Sequence, residues 1–238
     1  MFLGQYAPAI AAADELVETV PEEFLRVRSP PMADYFESYR AIRQHVLIRF
    51  GKWHEILAQA LPADGELYCS TTAMIHYAKG VAHAALGEVP AAEAEQERFR
   101  EAVKRVPESR YQHNVPCAQL FAVAEEMLEG EIVYRRGQHD AAFGHLRAAI
   151  ALEDALPYDE PWGWMQPVRH ALGALLLEQE RVAEAESVYR EDLGLAGTVP
   201  RAQIHPDNPW ALRGLLDCLE RRGELAEASL IRQRLEVA

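Results

Sequence analysis

The chain has 238 residues, 49% of them hydrophobic and 26% charged, enough to bury one large core or a run of stacked units. Asp and Glu number 37 against 24 Lys and Arg, a formal net charge of −13 that excludes nucleic acid and anionic membrane as main partners, because phosphate binding needs a basic surface. Three scattered cysteines without a CxxC pair exclude a disulfide framework and a zinc knuckle, and no apolar run reaches the roughly 18–20 residues of a membrane span. The N-terminus lacks the basic and long apolar regions of a signal peptide, so the compartment expected is the cytoplasm.

In chain order, the first signal is a turn at Gly4 in LGQYAPAI, with a helix expected from about Pro8 to Glu18. The same signal returns in FGKWHEIL at Gly51, LGEVPAAEA at Gly87, RGQHDAAF at Gly137, QERVAEAE at Glu180 and RGELAEAS at Gly223. Each is an apolar helix, a turn, then an Ala-rich amphipathic helix. Five residues after the turn stands Ala9, Ala92, Ala142, Ala185 or Ala228, with Ile56 as the exception. Glycine ends the first helix in a left-handed conformation, and a small residue on the second lets the antiparallel pair approach. Gly80 and Gly130, seven residues before their turns, predict thin points on the first helix of their pairs. Val106 to Pro116 and Gly194 to Pro209 read as inserted loops. No strand-like alternation bounded by turns is present, and the fold class expected is all-α.

These offsets of Gly, Ala, aromatic and Ala resemble the tetratricopeptide repeat family. The fifth unit carries the pattern in Leu172, Gly173, Ala185 and Tyr189, and the fourth in Gly130, Gly137, Ala142 and Ala149. The turn spacings of 47, 36, 50, 43 and 43 exceed the family's period of about 34, which implies longer helices or loop insertions. The resemblance implies a single right-handed α-α superhelix over residues 1–238, of about five helix pairs, a leading half-pair and a C-terminal cap. MLEGEI from Met127, YDEPWGWMQPVRHALGALL from Tyr158 and HPDNPWAL from His205 look like a branch of bacterial and fungal proteins of this family. Because Gly4 is already a turn, the chain reads as the C-terminal part of a longer array, or as one whose open N-terminal edge meets a second copy.

Such arrays bind with the concave face, so residues six and ten, and two and three, before each turn are expected to point inward. They are His45 and Arg49, Tyr77, then Glu131, Tyr134 and Arg135, then His170 and Glu178, then Arg213, Asp217, Glu220 and Arg221. A solvated face with pairs such as Asp217 and Arg221 is the simplest account of them. The Lys and Asn that grip an acidic chaperone tail in one class of the family are replaced here, which disfavours that partner.

The densest segment is YDEPWGWMQPVRHALG, from Tyr158 to Gly173. Half of it suits packing, with Pro161 and Pro167 setting the loop and helix start. The remainder reads as a recognition site for a peptide or small molecule. Tyr158 and Trp164 would cover a pocket, Arg169 and His170 take an anion or amide, and Asp159 and Glu160 take a cation, beside Glu131, Tyr134 and Arg135. An alternative is an enzyme in which His170 and Glu131 act as acid/base pair with Arg169 holding an anion. None of the nine histidines forms HxxxH or HxH, so no metal site is expected; His83 reads as a core residue and HPDN as a helix cap. The absence of a phosphate loop or dinucleotide fingerprint gives no reason to expect a cofactor.

Overall fold

Helices follow one another along the whole chain in a computed structural model that describes all 238 residues. The chain divides into two compact units, Tyr6–Gln166 and Met1–Gln5 with Pro167–Ala238. No helix is long and apolar enough to cross a membrane.

The larger unit opens with α1 (Tyr6–Thr19), the short α2 (Glu22–Leu25) and α3 (Met32–Phe36), and a 3-10 turn at Glu37–Ala41. Then come α4 (Ile42–Arg49), α5 (Trp53–Leu57), α6 (Cys69–Ala85) and α7 (Val89–Val103). A two-stranded hairpin, β1 (Tyr111–Gln112) and β2 (Val115–Pro116), precedes α8 (Cys117–Arg135) and α9 (His139–Asp154). The first helix, α1, packs on α4, while α6 with α7 and α8 with α9 form the closely packed helical hairpins that the turn spacing predicts.

Gly87 and Gly137 close these hairpins at φ +79° and +78°. Glu88 N–H donates to His83 O at 2.9 Å and Gln138 N–H to Val133 O at 3.2 Å, satisfying carbonyls that the helix ends leave open. Ala92 and Ala142, five residues on, are wholly buried. A Cβ on Gly80 would stand 2.9 Å from Leu128, and one on Gly130 3.1 Å from Leu146. These are the thin points that the glycine spacing predicts. Between the helices, Phe99, Phe143, Leu128 and Leu146 are fully buried, each worth about 1.5–3 kcal/mol of transfer free energy.

The structure corrects the sequence reading in two places here. After Gly51 the second helix of its pair is the five-residue α5, because Pro62 and Gly65 interrupt the helical pattern; Asp64 then accepts from Leu67 N–H at 3.0 Å to shape the next loop. The inserted loop after Val106 contains strands, paired antiparallel with Tyr111 opposite Pro116 and Gln112 opposite Val115. Two residues per strand are too few for alternation to be visible in sequence.

The smaller unit contains α10 (Val168–Glu178), α11 (Val182–Asp192), α12 (Pro209–Arg222) and α13 (Leu225–Val237). Glu180, at φ +55°, occupies the turn position taken by glycine in the other pairs. Tyr189 on α11 lies between two glycines: a Cβ would come within 2.5 Å of its ring at Gly173 and 2.1 Å at Gly214. Asn208 caps α12 by accepting from Trp210 N–H at 2.9 Å, and Pro209 supplies the first-turn φ. Arg221 and Arg222 favour its C-terminal end, where Gly223 takes the left-handed cap. The expected Asp217–Arg221 pair is not formed. Asp217 instead pairs with Arg213 at 3.0 Å, and Arg221 reaches Glu180 at 3.1 Å.

Candidate functional site

The segment from Tyr158 to Gly173 is shared between the units, Tyr158–Gln166 in the larger and Pro167–Gly173 in the smaller. Within the larger unit its centre is Trp164, 1% exposed. The indole meets His45 of α4 edge-on at 4.9 Å between ring centroids and Tyr77 of α6 at 5.6 Å. Its Nε1–H donates to Met127 Sδ on α8 at 3.2 Å, and the Tyr77 hydroxyl approaches the same sulfur at 3.8 Å. One side chain thereby collects residues from three helices, including two that the inward spacing singles out.

Gln166 completes the cluster by donating from Nε2 to the His45 carbonyl at 2.9 Å. His45 Nδ1 and Gln166 Oε1, on residues 2% and 6% exposed, make no hydrogen bond of normal length, although the Gln166 side chain stands close enough to His45 to favour its protonated form. Burial holds His45 down to about 4, with Gln166 opposing and the charge of Arg49 adding to the effect. The ring is therefore neutral at pH 7, one nitrogen carrying a proton and the other a lone pair. Burial also pushes the Tyr77 phenol far above its ordinary value, and the Glu131 carboxylate pushes it further. Glu131 lies 3.8 Å from Arg135, whose guanidinium stacks over the buried Tyr134 ring at 5.2 Å. The groups around Trp164 are suited to hydrogen-bonding a polar molecule, with charge contributed from α8.

The other residues expected to bind have different placements. Asp159 is buried and used internally: it is hydrogen-bonded to His113, accepts from Asn114 at 3.4 Å, and accepts from the Glu160 backbone N–H at 3.1 Å. It fastens its segment to the β1–β2 turn, as does Gln112, which donates to Gly163 O at 3.0 Å. Glu160 is engaged by the hydroxyl of the exposed Tyr158. Asp159, expected to hold a cation, is thus engaged in anchoring its loop.

In the smaller unit, Arg169 is buried with its Nε 3.6 Å from Glu191. His170 is also buried, and its Nε2 lies 2.8 Å from Oδ2 of Asp192, a residue with no exposure. His205 joins the same carboxylate from the following loop, with Nδ1 2.8 Å from Oδ1. Burial opposes ionisation of Asp192, but the charges and hydrogen bonds of His170 and His205 prevail and hold it well below the usual carboxylate range. Sequence spacing did not reveal this trio. His205 lies in a loop whose HPDN composition signals a cap, and Asp192 stands at a helix end like many other carboxylates.

Two further histidines on α6 each meet a carboxylate of their own. His76 lies 2.7 Å from Glu95, and His83, part-exposed rather than core, lies 2.6 Å from Glu88. No group of three or more His, Cys, Asp or Glu is arranged to hold a metal ion. Comparison with protein-family models, curated proteins and solved structures finds no match for the chain.

Proposed function

We propose that the chain is a tetratricopeptide-like helical-repeat protein whose role is to bind a peptide or small polar ligand on its inward-spaced side chains. The observation that carries this reading is the cluster around Trp164. It brings His45 and Tyr77 together and leaves Nδ1 of His45 and Oε1 of Gln166 without a hydrogen bond of normal length. Buried polar atoms are nearly always paired, so two unmade hydrogen bonds in one aromatic enclosure favour a ligand that makes them. The repeat assignment is supported by left-handed turns at Gly4, Gly51, Gly87, Gly137, Glu180 and Gly223, and by the buried small residues that follow most of them. Three free, buried cysteines support a reducing, cytoplasmic setting.

A thermal-shift screen of polar metabolites and short peptides tests this reading, with each stabilising compound repeated on His45→Gln. The expected result is a compound that raises the melting temperature of the parent protein and has little effect on the variant, while both unfold cooperatively without it. Compounds that stabilise both proteins equally would remove His45 from the binding site.

A second reading, acid/base catalysis at His170, has one observation in its favour. A histidine held by a buried carboxylate at 2.8 Å is the arrangement that fixes the tautomer of a general base. Under it, His170→Asn would retain a bound substrate and lose turnover. Under the first reading, no turnover of any bound compound is found in the parent protein.

A further inference from the structure

A second place in the larger unit has the makings of a ligand site, away from the Trp164 cluster and independent of it. The loop between α2 and α3 lines an open pocket of about 400 Å³, at the lower end of small-molecule sites, which run to roughly 300–1,000 Å³. Arg110 lines it and is only 5% exposed, yet its Nε and one terminal nitrogen make no hydrogen bond. The remaining terminal nitrogen reaches Leu67 O at a long 3.4 Å.

Neighbouring carboxylates do not take up these donors. Asp34 and Glu37 each stand 3.8 Å from the guanidinium, beyond hydrogen-bond length. Glu37 is committed elsewhere, accepting from the Thr71 and Ser70 backbone N–H groups at 2.8 and 3.3 Å at the start of α6. A guanidinium is a rigid array of five donors matched to a carboxylate, and leaving a buried one half-used is costly.

The remaining lining narrows the ligand. Leu25, Val27, Pro31, Ala33 and Leu67 form an apolar wall. Arg28 adds an exposed cation at the mouth, while Arg26 is consumed by Glu22 and by Asp64 at 2.8 Å. Arg26, Arg28 and Arg110 line the cavity beside Asp64 and Glu66, with Asp34 and Glu37 close to Arg110. A multiply charged anion would meet those carboxylates unfavourably. A single carboxylate carried on an apolar body matches both the unused Arg110 donors and the wall.

We propose that this cavity binds a small organic monocarboxylate, its carboxylate on the unused donors of Arg110 and its carbon chain on the wall from Leu25 to Ala33. Isothermal titration of the full chain with hexanoate tests it, with hexan-1-ol and inorganic phosphate as controls for tail and charge. Hexanoate is expected to bind saturably and both controls about tenfold or more weakly. Arg110→Gln should abolish hexanoate binding, Arg28→Glu should weaken it several-fold, and His45→Gln should leave it unchanged. Arg28 is exposed and makes no side-chain bond, so its variant answers the question even where Arg110→Gln fails to fold. The proposal is overturned by absent or non-saturating hexanoate heats, by hexan-1-ol binding as tightly, or by sensitivity to His45→Gln. Undiminished affinity in folded Arg110→Gln, or in Arg28→Glu where that variant does not fold, overturns it equally.

Discussion

Asp192 and His205 are joined twice: the ring Nδ1 of His205 lies 2.8 Å from Oδ1 of Asp192, and its backbone N–H donates to the Asp192 carbonyl at 2.6 Å. With His170 on the other carboxylate oxygen, the end of α11 thereby holds both the start of α10 and the loop that leads into α12.

Removing the charge at this junction strands two buried imidazoles. Asp192→Asn is therefore expected to cost about 3 kcal/mol, read as a lower urea midpoint at pH 7. The pH dependence follows from the depressed carboxyl. The unfolded chain takes up its proton near the ordinary value of about 4 and the folded chain only at lower pH, so the contribution is complete above that value and declines as pH falls below it. The gap between parent and variant should accordingly narrow at pH 3. An unchanged midpoint at pH 7 would show that the trio carries no stability.

Two glycine substitutions should have opposite signs. At Gly214 an added methyl would meet the Tyr189 ring at 2.1 Å, and this ring is already confined on its other side by Gly173. Gly214→Ala should destabilise by about 1–3 kcal/mol through overpacking. At Gly144, exposed within α9, an added Cβ has nothing within 4 Å. Gly144→Ala should therefore stabilise by about 0.5–1 kcal/mol, because alanine loses less backbone entropy in a helix. Melting curves that move in the same direction for both would refute the packing argument.

The same glycines show which parts of the fold are legible in sequence. Turn glycines and the alanines after them report local constraints, a left-handed φ and a close helix crossing, and these survive in Gly87, Ala92, Gly137 and Ala142 whatever else the chain does. The Glu180 turn is readable because its neighbours fill the remaining repeat positions. The shortness of α5 and the β1–β2 hairpin were hidden, since each depends on how a loop packs and not on periodicity.

The candidate site divides along the same line. His45 and Tyr77 fall on inward positions that spacing alone identifies, and both meet Trp164. Asp159 looked like a free ligand because its partners, His113 and Asn114, lie some 45 residues earlier. Arg110 carried no signal in sequence, since its importance arises from donors that burial leaves unmade.

Glu180 offers a test of turn strain. A left-handed φ of +55° costs a non-glycine residue roughly 1–2 kcal/mol, while its exposed pair with Arg221 returns at most about 1 kcal/mol. Glu180→Gly should therefore raise stability slightly, by about 0.5 kcal/mol after the added freedom of the unfolded chain is counted. The reciprocal change, Gly137→Ala at φ +78°, should lower it by about 1 kcal/mol. A loss of stability on Glu180→Gly would mean that the pair with Arg221 outweighs the backbone.

His45 gives the site its own pH signature. The unfolded chain protonates this histidine near pH 6.5, whereas the folded chain, with the ring buried against Trp164, does so only at about 4. Between those values the unfolded state holds the extra proton, so each unit of acidification favours unfolding, to a total on the order of 3 kcal/mol. Urea midpoints at pH 7 and pH 5 should differ by more in the parent protein than in His45→Gln, which has no group to titrate there. A ligand that accepts a hydrogen bond from Nδ1 would reverse part of this effect by stabilising a proton on that nitrogen. One that donates to Nδ1 would depress the titration further. The direction in which a bound compound moves the pH 5 midpoint thus reports which role His45 plays toward it.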